Sequence, residues 1–288
     1  ERLGYTQSAV SQQIAGLERI IGDRVFDRPK GPRAVTLTPL GEHLLAHGRE
    51  LLAKLSVLGD DLAQFRQGAV GRLRVGTFQS VSTVMLPLLA GPMRARHPDL
   101  DLSVYDSDYD DQLHERLAAG ELDLSFVVGE VDERFDARHL MTDPFCLLSR
   151  PGQFPSGPVS IHVLNQEPLI GQHHNSCQIL NEAGLRSRGV EPNYVFRSND
   201  NGAVAAMVRA GMGVAVLPLL CVEPDDPRIE IHPLEPTIPG REISIAWRAG
   251  RTRSPAADQF IELAVEVAAE LAERMAAIPG FGPATVPA

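Results

Sequence analysis

The stretch YTQSAVSQQIAGLERIIGDRVF, residues 5–26, would have two very different faces as a helix. Thr6 is a natural N-cap, and the spacing of the apolar residues predicts a helix over residues 7–21. The polar face is too poor in charge for a solvated surface and too polar for a core, which indicates a contact surface. The apolar face consists of Val10, Ile14, Leu17 and Ile21, and the polar face of Ser8, Ser11, Gln12 and Ala15.

The segments on either side of this helix complete a recognisable pattern. Gly4 is typical of a helix C-cap, so a preceding helix is expected to end there. A basic, turn-rich loop, PKGPR, and a short predicted strand, AVTL, follow the helix over residues 29–37. Helix, tight turn, helix and basic hairpin together predict a winged helix-turn-helix.

Charge supports a nucleic-acid contact confined to this end of the chain. The first 36 residues carry six Lys or Arg and four Asp or Glu, net +2, in a chain of net charge −10. The remainder therefore carries −12. An acidic protein with a small basic end can still bind a polyanion through that end.

The polar side chains of the helix suit contacts with double-stranded DNA. Ser8 and Ser11 can donate to phosphate oxygens, and Gln12 can pair with an adenine edge. Basic side chains of the hairpin suit phosphates or a minor groove. A plain polar surface helix is the alternative. The predicted DNA contacts are Thr6, Gln7, Ser8, Ser11, Gln12, Gln13, Arg28, Lys30 and Arg33.

One long helix is predicted over residues 40–67. Leucine or phenylalanine recurs every seven residues along one line, and two further leucines fill the intermediate seam, with Gly48 as its weak member. This heptad pattern favours a two-stranded coiled coil with another copy over packing within its own domain. The seam positions are Leu44, Leu51, Leu55, Leu58, Leu62 and Phe65.

From Gly71 onward the pattern changes to alternating strands and helices. Residues 71–128 read as βαβαβ, which predicts a parallel sheet, and a second round of strands and helices follows. Ser254 and Pro255 begin a long final helix. The predicted domains are a winged helix-turn-helix at 1–39, a linker helix at 40–68, an α/β domain at 71–276 and a loose tail at 278–288.

The first 45 residues resemble the DNA-binding region of LysR-type transcriptional regulators. The family's first helix and most of its second would precede Glu1, so the natural protein is expected to be longer. Four later segments also resemble the family: GRLRVGTF, LPLLAGPMRARHP, AAGELDLSFV and VRAGMGVAVLP. The residues that carry the resemblance are the run Thr6-Gln7-Ser8-Ala9-Val10-Ser11, then Ile14, Leu17-Glu18, Gly22, Val25-Phe26, Arg28, Leu37-Thr38 and Gly41.

The resemblance implies that the α/β domain is a sensor similar to periplasmic solute-binding proteins, with a small-molecule cleft between two Rossmann-like lobes. Lobe I would comprise about 71–144 and 248–276, and lobe II about 145–247. Helix starts after strands independently favour an anionic effector. Thr77, Gln79 and Ser80, followed by Ser82, lie at one junction, and Ser198 and Asn199, followed by Asn201, lie at another. By resemblance, Ser80, Asp110, Val128, Gly129, His173 and Asn175 would also face the effector.

Two other chemistries remain open for this region. Five aspartates between Asp101 and Asp111 suit a cationic effector or a divalent metal, although their spacing does not match a calcium loop. A solvated acidic edge is the simpler interpretation. His173, His174 and Cys177 would need further ligands to hold a metal. Cys177 also lies in the first turn of a predicted helix, where the dipole lowers a thiol pKa, so a peroxide or thiol sensor is a second alternative.

The sequence therefore predicts a LysR-like regulator that is not an enzyme and needs no cofactor. No phosphate loop, zinc signature or nucleophile elbow appears. Three widely spaced cysteines and no apolar segment long enough for a bilayer fit the cytoplasm. The expected partners are promoter or operator DNA, an effector, one or three further copies, and RNA polymerase. The alternative is a solute-binding protein whose N-terminal segment only oligomerises.

Overall fold

The computed structural model describes residues 6–27, 35–67 and 71–281. The chain divides into two compact units, residues 1–59 and 60–288. The division falls within the long helix predicted at 40–67. Among the described residues, no helix combines the length and the apolar character that a membrane span requires.

The first unit contains the helix that the sequence predicts over residues 7–21. Helix α1 (Gln7–Ile21) begins after Thr6, whose hydroxyl accepts a hydrogen bond from the Ala9 N–H at 3.3 Å. It ends at Gly22, whose φ of 82° is the left-handed conformation that glycine adopts without strain. Strands β1 (Phe26–Asp27) and β2 (Thr36–Leu37) then pair antiparallel. The helix at 7–21 and its Thr6 cap are confirmed.

Helix α1 is tied to the hairpin by one carboxylate. Glu18 Oε1 accepts hydrogen bonds from the backbone N–H groups of Val25 at 3.0 Å and Phe26 at 3.4 Å. These groups lie at the start of β1, so the carboxylate fixes the turn between the helix and the hairpin.

The start of the long helix α2 (Pro39–Gln67) packs against the same turn. The Thr38 hydroxyl donates to the Arg24 carbonyl at 2.9 Å and accepts from the Gly41 N–H at 3.0 Å. A Cβ atom on Gly41 would lie 2.1 Å from the Val25 carbonyl oxygen, so only glycine permits this approach. The predicted helix over 40–67 is confirmed.

Four of the five leucines of the predicted seam are not covered by their own chain, whereas Leu44 is half-buried. Leu51, Leu55, Leu58 and Leu62 are 51% to 61% exposed. The side chain of Phe65 lies outside the described part of the structure. An exposed line of leucines on a 29-residue helix has no partner within the described residues.

The second unit contains the alternating strands and helices that the sequence predicts, together with strands that it did not. In chain order the elements are β3 (Arg72–Thr77), α3 (Gln79–Arg96), β4 (Asp101–Asp106), α4 (Asp110–Ala119), β5 (Leu124–Val128), β6 (Phe135–Asp143), β7 (Phe145–Ser149), β8 (Val159–Ser160), β9 (Leu169–Gly171), α5 (Ser176–Ser187), β10 (Tyr194–Arg197), α6 (Asn201–Arg209), β11 (Val214–Pro218), β12 (Glu230–Glu235), β13 (Arg241–Arg248) and α7 (Pro255–Ala276). Two 3₁₀ segments, Ile161–Asn165 and Leu219–Cys221, lie between them.

These elements form two sheets, one in each lobe. The first sheet has the order β4-β3-β5-β13-β6, and the second has the order β10-β9-β11-β7-β12-β8. Strand β3 pairs parallel with β4 and β5, as the βαβαβ pattern predicts. Strand β13 pairs antiparallel with β5 and β6 and so closes the first sheet late in the chain.

Each lobe has its own apolar core. In lobe I, helix α7 packs on the sheet, with Phe260 edge-on to Phe126 at 6.4 Å between ring centroids. Lobe II buries apolar side chains on both faces of its sheet, with Leu147 on one face and Leu148 on the other. Two separately packed lobes leave a cleft between them as the place where they can move.

Two predicted boundaries are wrong, one because of the sheet pairing and the other because of core packing. Lobe II was expected to continue to residue 247, but β13 begins at Arg241 and belongs to the first sheet. The tail was expected to be loose from residue 278, but Ile278 and Phe281 pack against the lobe II core because they are apolar. The rest of the predicted tail, residues 282–288, lies outside the described residues.

Candidate functional site

The predicted DNA-contact residues of α1 lie on its exposed face. Gln7, Ser8, Ser11, Gln12 and Gln13 are all exposed. Thr6 is exposed too, although its hydroxyl is already engaged as the helix cap. The predicted contacts of the hairpin loop, Arg28, Lys30 and Arg33, lie outside the described residues.

The cleft between the lobes of the second unit holds a small cavity of about 40 Å³. Such a volume holds roughly three water molecules, so the lobes are close together. Its walls come from the starts of α3 and α4, the ends of β5 and β9, the starts of α5 and α6, and β13. The lining residues are Phe78, Gln79, Ser80, Asp108, Asp110, Val128, Gln172, Asn175, Cys177, Asn199, Asn201, Cys221 and Arg241.

A buried ion pair lies at the base of this cavity. The Arg241 guanidinium donates from Nε and Nη2 to Asp143 Oδ2 at 3.0 and 2.8 Å, and both residues are almost fully buried. The Leu220 N–H donates to Asp143 Oδ1 at 3.1 Å. Burial raises the pKa of the Asp143 carboxyl, and the neighbouring Arg241 opposes that rise. These three donors are what a carboxylate needs when it is removed from water.

Arg241 also contacts both lobes across the cleft. Its Nη2 donates to Ser80 Oγ at 2.7 Å, at the start of α3 in lobe I. In lobe II, the sulfur of Cys177 lies 3.9 Å from Nη1, and the sulfur of Cys221 lies 3.7 Å from Nη2. One guanidinium therefore contacts three chain segments that border the cavity.

Of the two thiols at this guanidinium, that of Cys177 is buried and that of Cys221 is half-buried. Burial raises the pKa of Cys177 to about 12, and the contact with Arg241 only partly opposes it. Burial likewise raises the pKa of Cys221 and of Cys146. The prediction that the helix start lowers the Cys177 pKa is wrong, because loss of solvation outweighs the dipole and the cation.

Two further hydrogen bonds clasp the lobes together. The Ser176 N–H, at the start of α5 in lobe II, donates to Asp110 Oδ2 in lobe I at 3.2 Å. The Asn201 N–H, at the start of α6, donates to Gln79 Oε1 at 2.9 Å. Side chains of lobe I thus accept from the positive ends of two lobe II helices.

The cleft is bordered by acidic side chains. Asp108 and Asp110 line it, whereas Asp101, Asp106 and Asp111 are exposed, so the predicted solvated edge holds for those three. Burial, and then the charges of Asp106 and Asp200, raise the pKa of Asp108. In the described part of the chain, no three His, Cys, Asp or Glu side chains are placed to hold a metal, which excludes the His173, His174 and Cys177 site there.

Six of the predicted effector residues line the cavity and four do not. Thr77 is buried under α3, where its hydroxyl bonds to Ser82. Gly129 turns away after β5, with its N–H bonded to the Glu242 carbonyl, and His173 is exposed. The Ser198 hydroxyl accepts from the Asp200 N–H instead. The six that line the cavity are Gln79, Ser80, Asp110, Val128, Asn175 and Asn199.

Sequence reasoning missed six lining residues, with Arg241 the most consequential. Helix starts at strand ends gave a usable signal for Asn201, which lies at the predicted junction two residues after Asn199 and also lines the cavity. Arg241 carries no such signal, because it opens an antiparallel strand far along the chain. The missed residues are Phe78, Asp108, Gln172, Cys177, Cys221 and Arg241.

Two family models match the chain. The model for the LysR substrate binding domain matches residues 66–269, and the model for the bacterial regulatory helix-turn-helix protein of the lysR family matches residues 1–42. The chain belongs to the LysR family of transcriptional regulators. As a LysR-family regulator, it combines a helix-turn-helix with an effector-binding domain, which confirms the predicted fold class and function.

Curated relatives and solved structures agree with this family. The regulator YwqM of Bacillus subtilis is 30% identical over 230 residues, covering 77% of this chain and 76% of its own. YfeR of Shigella flexneri is 27% identical over 264 residues, covering 90% and 84%.

Among solved structures, the LysR-family regulator CbnR matches with a TM-score of 0.69 at 21% identity, covering 93% of this chain and 91% of its own. A full-length OxyR variant from Pseudomonas aeruginosa matches with a TM-score of 0.66 at 24% identity, covering 92% and 89%. At such identities these two structures share the fold of this LysR-family chain.

Proposed function

We propose that the LysR-family chain reads operator DNA with the exposed polar face of α1. Ser8 and Ser11 bind phosphates, and Gln12 contacts a base edge in the major groove. Gln7 and Gln13 flank it and bind backbone or bases, while Thr6 orients the helix start toward a phosphate. Arg28, Lys30 and Arg33 add phosphate contacts from the hairpin. The exposure of this face in a folded helix supports the proposal.

The active species is a dimer that α2 forms with a second copy. The exposed leucines of α2 supply a heptad seam, and association would bury them. Two such dimers form a tetramer that spans neighbouring half-sites. CbnR, a structural neighbour, has been solved with its target DNA.

The effector binds in the cleft between the lobes and controls how far they close. The observation that carries this proposal is that one guanidinium, Arg241, contacts Ser80 of lobe I and the lobe II thiols of Cys177 and Cys221 beside the cavity. A ligand that enters must widen the cavity and disturb the bonds of Ser176 and Asn201 to lobe I. The difference between the ligand's affinities for the open and the closed domain would set how far it shifts the equilibrium between these two states.

The lining favours a small effector with groups of both signs. Arg241 and Ser80 offer donors at the base of the cavity, which suit a carboxylate. Asp108 and Asp110 offer acceptors on the wall, which suit an amine or hydroxyl. We therefore narrow the expected anion to a polar acid that also carries a donor group. A structural neighbour, the CcmR regulatory domain of Synechocystis, has been solved in complex with 2-PG.

Closure changes how the subunits pack and so changes half-site spacing or DNA bending. The protein works in the cytoplasm, has no catalytic role of its own and communicates with RNA polymerase at the promoter. DNA binding belongs to residues 1–39, dimerisation to residues 40–68 and effector binding to residues 71–276.

The test uses fluorescence anisotropy of the full chain with labelled fragments from the region around its own gene and with random fragments of equal length. Tighter binding to one fragment is expected, with the affinity for both fragments falling as the salt concentration rises. Equal and negligible retention of both at low ionic strength would refute the proposal. A thermal-shift screen of the same protein against small acids then identifies the effector, because binding raises the melting temperature.

A further inference from the structure

A second and larger pocket lies at the hinge between the lobes, away from the cleft. Its volume is about 830 Å³, within the usual range of small-molecule sites, which is roughly 300–1,000 Å³. It lies between the last turns of α7, the segment from Leu219 to Arg228, and Val84 of α3. We call it the hinge pocket.

The floor of the hinge pocket is apolar. Leu271, Met275 and Ile278 are spaced by four and three residues, so they share one face of α7 and its continuation. Leu219 and Leu220 face them from the 3₁₀ segment. A ring or short alkyl chain would displace water from this surface.

The rim carries an available cation next to that floor. Asp226 is already bound by Arg228 at 2.9 Å and Arg209 at 3.0 Å. Arg274, three residues after Leu271 on the same helix face, is exposed, and its guanidinium makes no hydrogen bond or ion pair with any described residue. The carboxylates of Glu223 and Asp225 lie on the facing loop. A carboxylate on a ligand lying along α7 would therefore meet Arg274 first.

The hinge pocket touches the machinery of the cleft. Leu220 packs in the lobe I core and Leu219 in the lobe II core, while Met275 contacts both. The Leu220 N–H donates to Asp143, which holds Arg241 at the base of the cleft. A ligand in the hinge pocket would thus bear on both lobes and lie one hydrogen bond from the central ion pair.

We propose that the hinge pocket is a second small-molecule site, which takes an apolar carboxylate. The apolar body lies on Leu271, Met275 and Ile278, and the carboxylate pairs with Arg274. Occupation stiffens the segment at Leu219–Leu220 and so changes how readily the lobes move. This input is separate from the effector of the cleft and does not depend on DNA binding.

The test is calorimetric titration of the full chain with octanoate, octanol and octylamine, which share an apolar body and differ in the head group. Octanoate is expected to bind best. Arg274→Met should weaken octanoate about fivefold, the effect of one exposed ion pair, and leave octanol unchanged. Arg96→Met, which removes an exposed arginine at the end of α3, is the matched control and should change nothing.

Hydrogen exchange of the same complexes locates the ligand. Octanoate should slow exchange in the peptide that contains Leu220 and leave the peptide around Cys177 unchanged. The proposal is overturned if octanoate gives no heat up to its solubility limit, if octylamine binds equally well, or if Arg274→Met binds octanoate like the parent. Protection at Cys177 instead would place the ligand in the cleft and also overturn it.

Discussion

Arg241 and Asp143, 98 residues apart in sequence, form a buried ion pair because β13 and β6 are neighbours in the first sheet. The pairing register places Arg241 opposite Asp143 at the edge of the lobe, where the chain crosses to lobe II at one strand and returns at the other. The ion pair thus sits where the hinge and the base of the cleft meet.

Removing one partner of this pair should be strongly destabilising. Arg241→Met leaves the Asp143 carboxylate buried without its cation, and the expected loss in free energy of unfolding is about 3–5 kcal/mol. Urea unfolding followed by circular dichroism measures it. The double variant Arg241→Met with Asp143→Leu should recover part of the loss, since no unpaired charge remains. Equal losses in single and double variants would contradict an ion-pair origin.

The thiol of Cys177 should react slowly in the folded protein. Its pKa of about 12 leaves almost no thiolate at neutral pH, and the thiolate is the reactive form. Labelling with iodoacetamide at neutral pH, followed by peptide mass spectrometry, should show Cys177 unmodified after the same time that labels it fully in urea. Rapid labelling of the native protein, or rapid oxidation by hydrogen peroxide, would revive the sensor hypothesis.

Acid should weaken the loop at the hinge pocket through Asp226. Hydrogen bonds from the side chain and backbone of Arg228 lower the pKa of Asp226 from 3.8 to about 2. A carboxyl whose pKa is lowered by folding stabilises the protein above pH 3.8 and loses that contribution as pH falls toward 2.

The urea midpoint of the parent should therefore fall more steeply from about pH 4 to about pH 2 than that of Asp226→Asn. The matched control is Asp111→Asn, an exposed aspartate of α4. Parallel pH profiles for the parent and Asp226→Asn would contradict the role given to this carboxylate.

Substitutions of Gln12 and Arg33 should change DNA binding in different ways. Gln12→Ala is expected to relax preference at one base position, by roughly 1–3 kcal/mol for a lost bidentate contact. Arg33→Ala should weaken binding to all sequences and flatten the salt dependence, since it removes a phosphate contact. Anisotropy titrations over a set of single-base operator variants at several salt concentrations separate the two. A uniform loss for Gln12→Ala would rule out base reading.

A charge in the α2 seam should dissociate the dimer. Leu55→Glu places a carboxylate where two exposed leucine lines would meet, so the α2 dimer should separate and the sedimentation coefficient should fall below that of the parent. Ser56→Glu adds the same charge at an exposed neighbouring position outside the seam and serves as control. If both variants sediment like the parent, association does not use this face of α2.

The features that could be predicted from the sequence are those that depend on the spacing of residues close together along the chain. The Thr6 cap and the apolar period predict α1, and the heptads predict α2. Strand β6 was missed because its middle is charged and exposed, so it lacks the alternation of a half-buried strand.

The centre of the cleft could not be predicted for a different reason. Cys177, Cys221 and Arg241 meet only through the fold, and nothing in the spacing of 177, 221 and 241 indicates it. Asn175 and Asn199, by contrast, could be found because strand ends and helix starts gather at one edge of a sheet.

The two hydrogen bonds between the lobes use backbone donors from lobe II and side-chain acceptors from lobe I. Both donors, at Ser176 and Asn201, are main-chain groups that every residue except proline supplies, whereas both acceptors are the side chains of Asp110 and Gln79. Substitutions at these two positions of lobe I can therefore change how strongly the lobes hold together, and the core of neither lobe has to change. Relatives with other residues at these two positions would differ in how far apart the two lobes lie when no effector is bound.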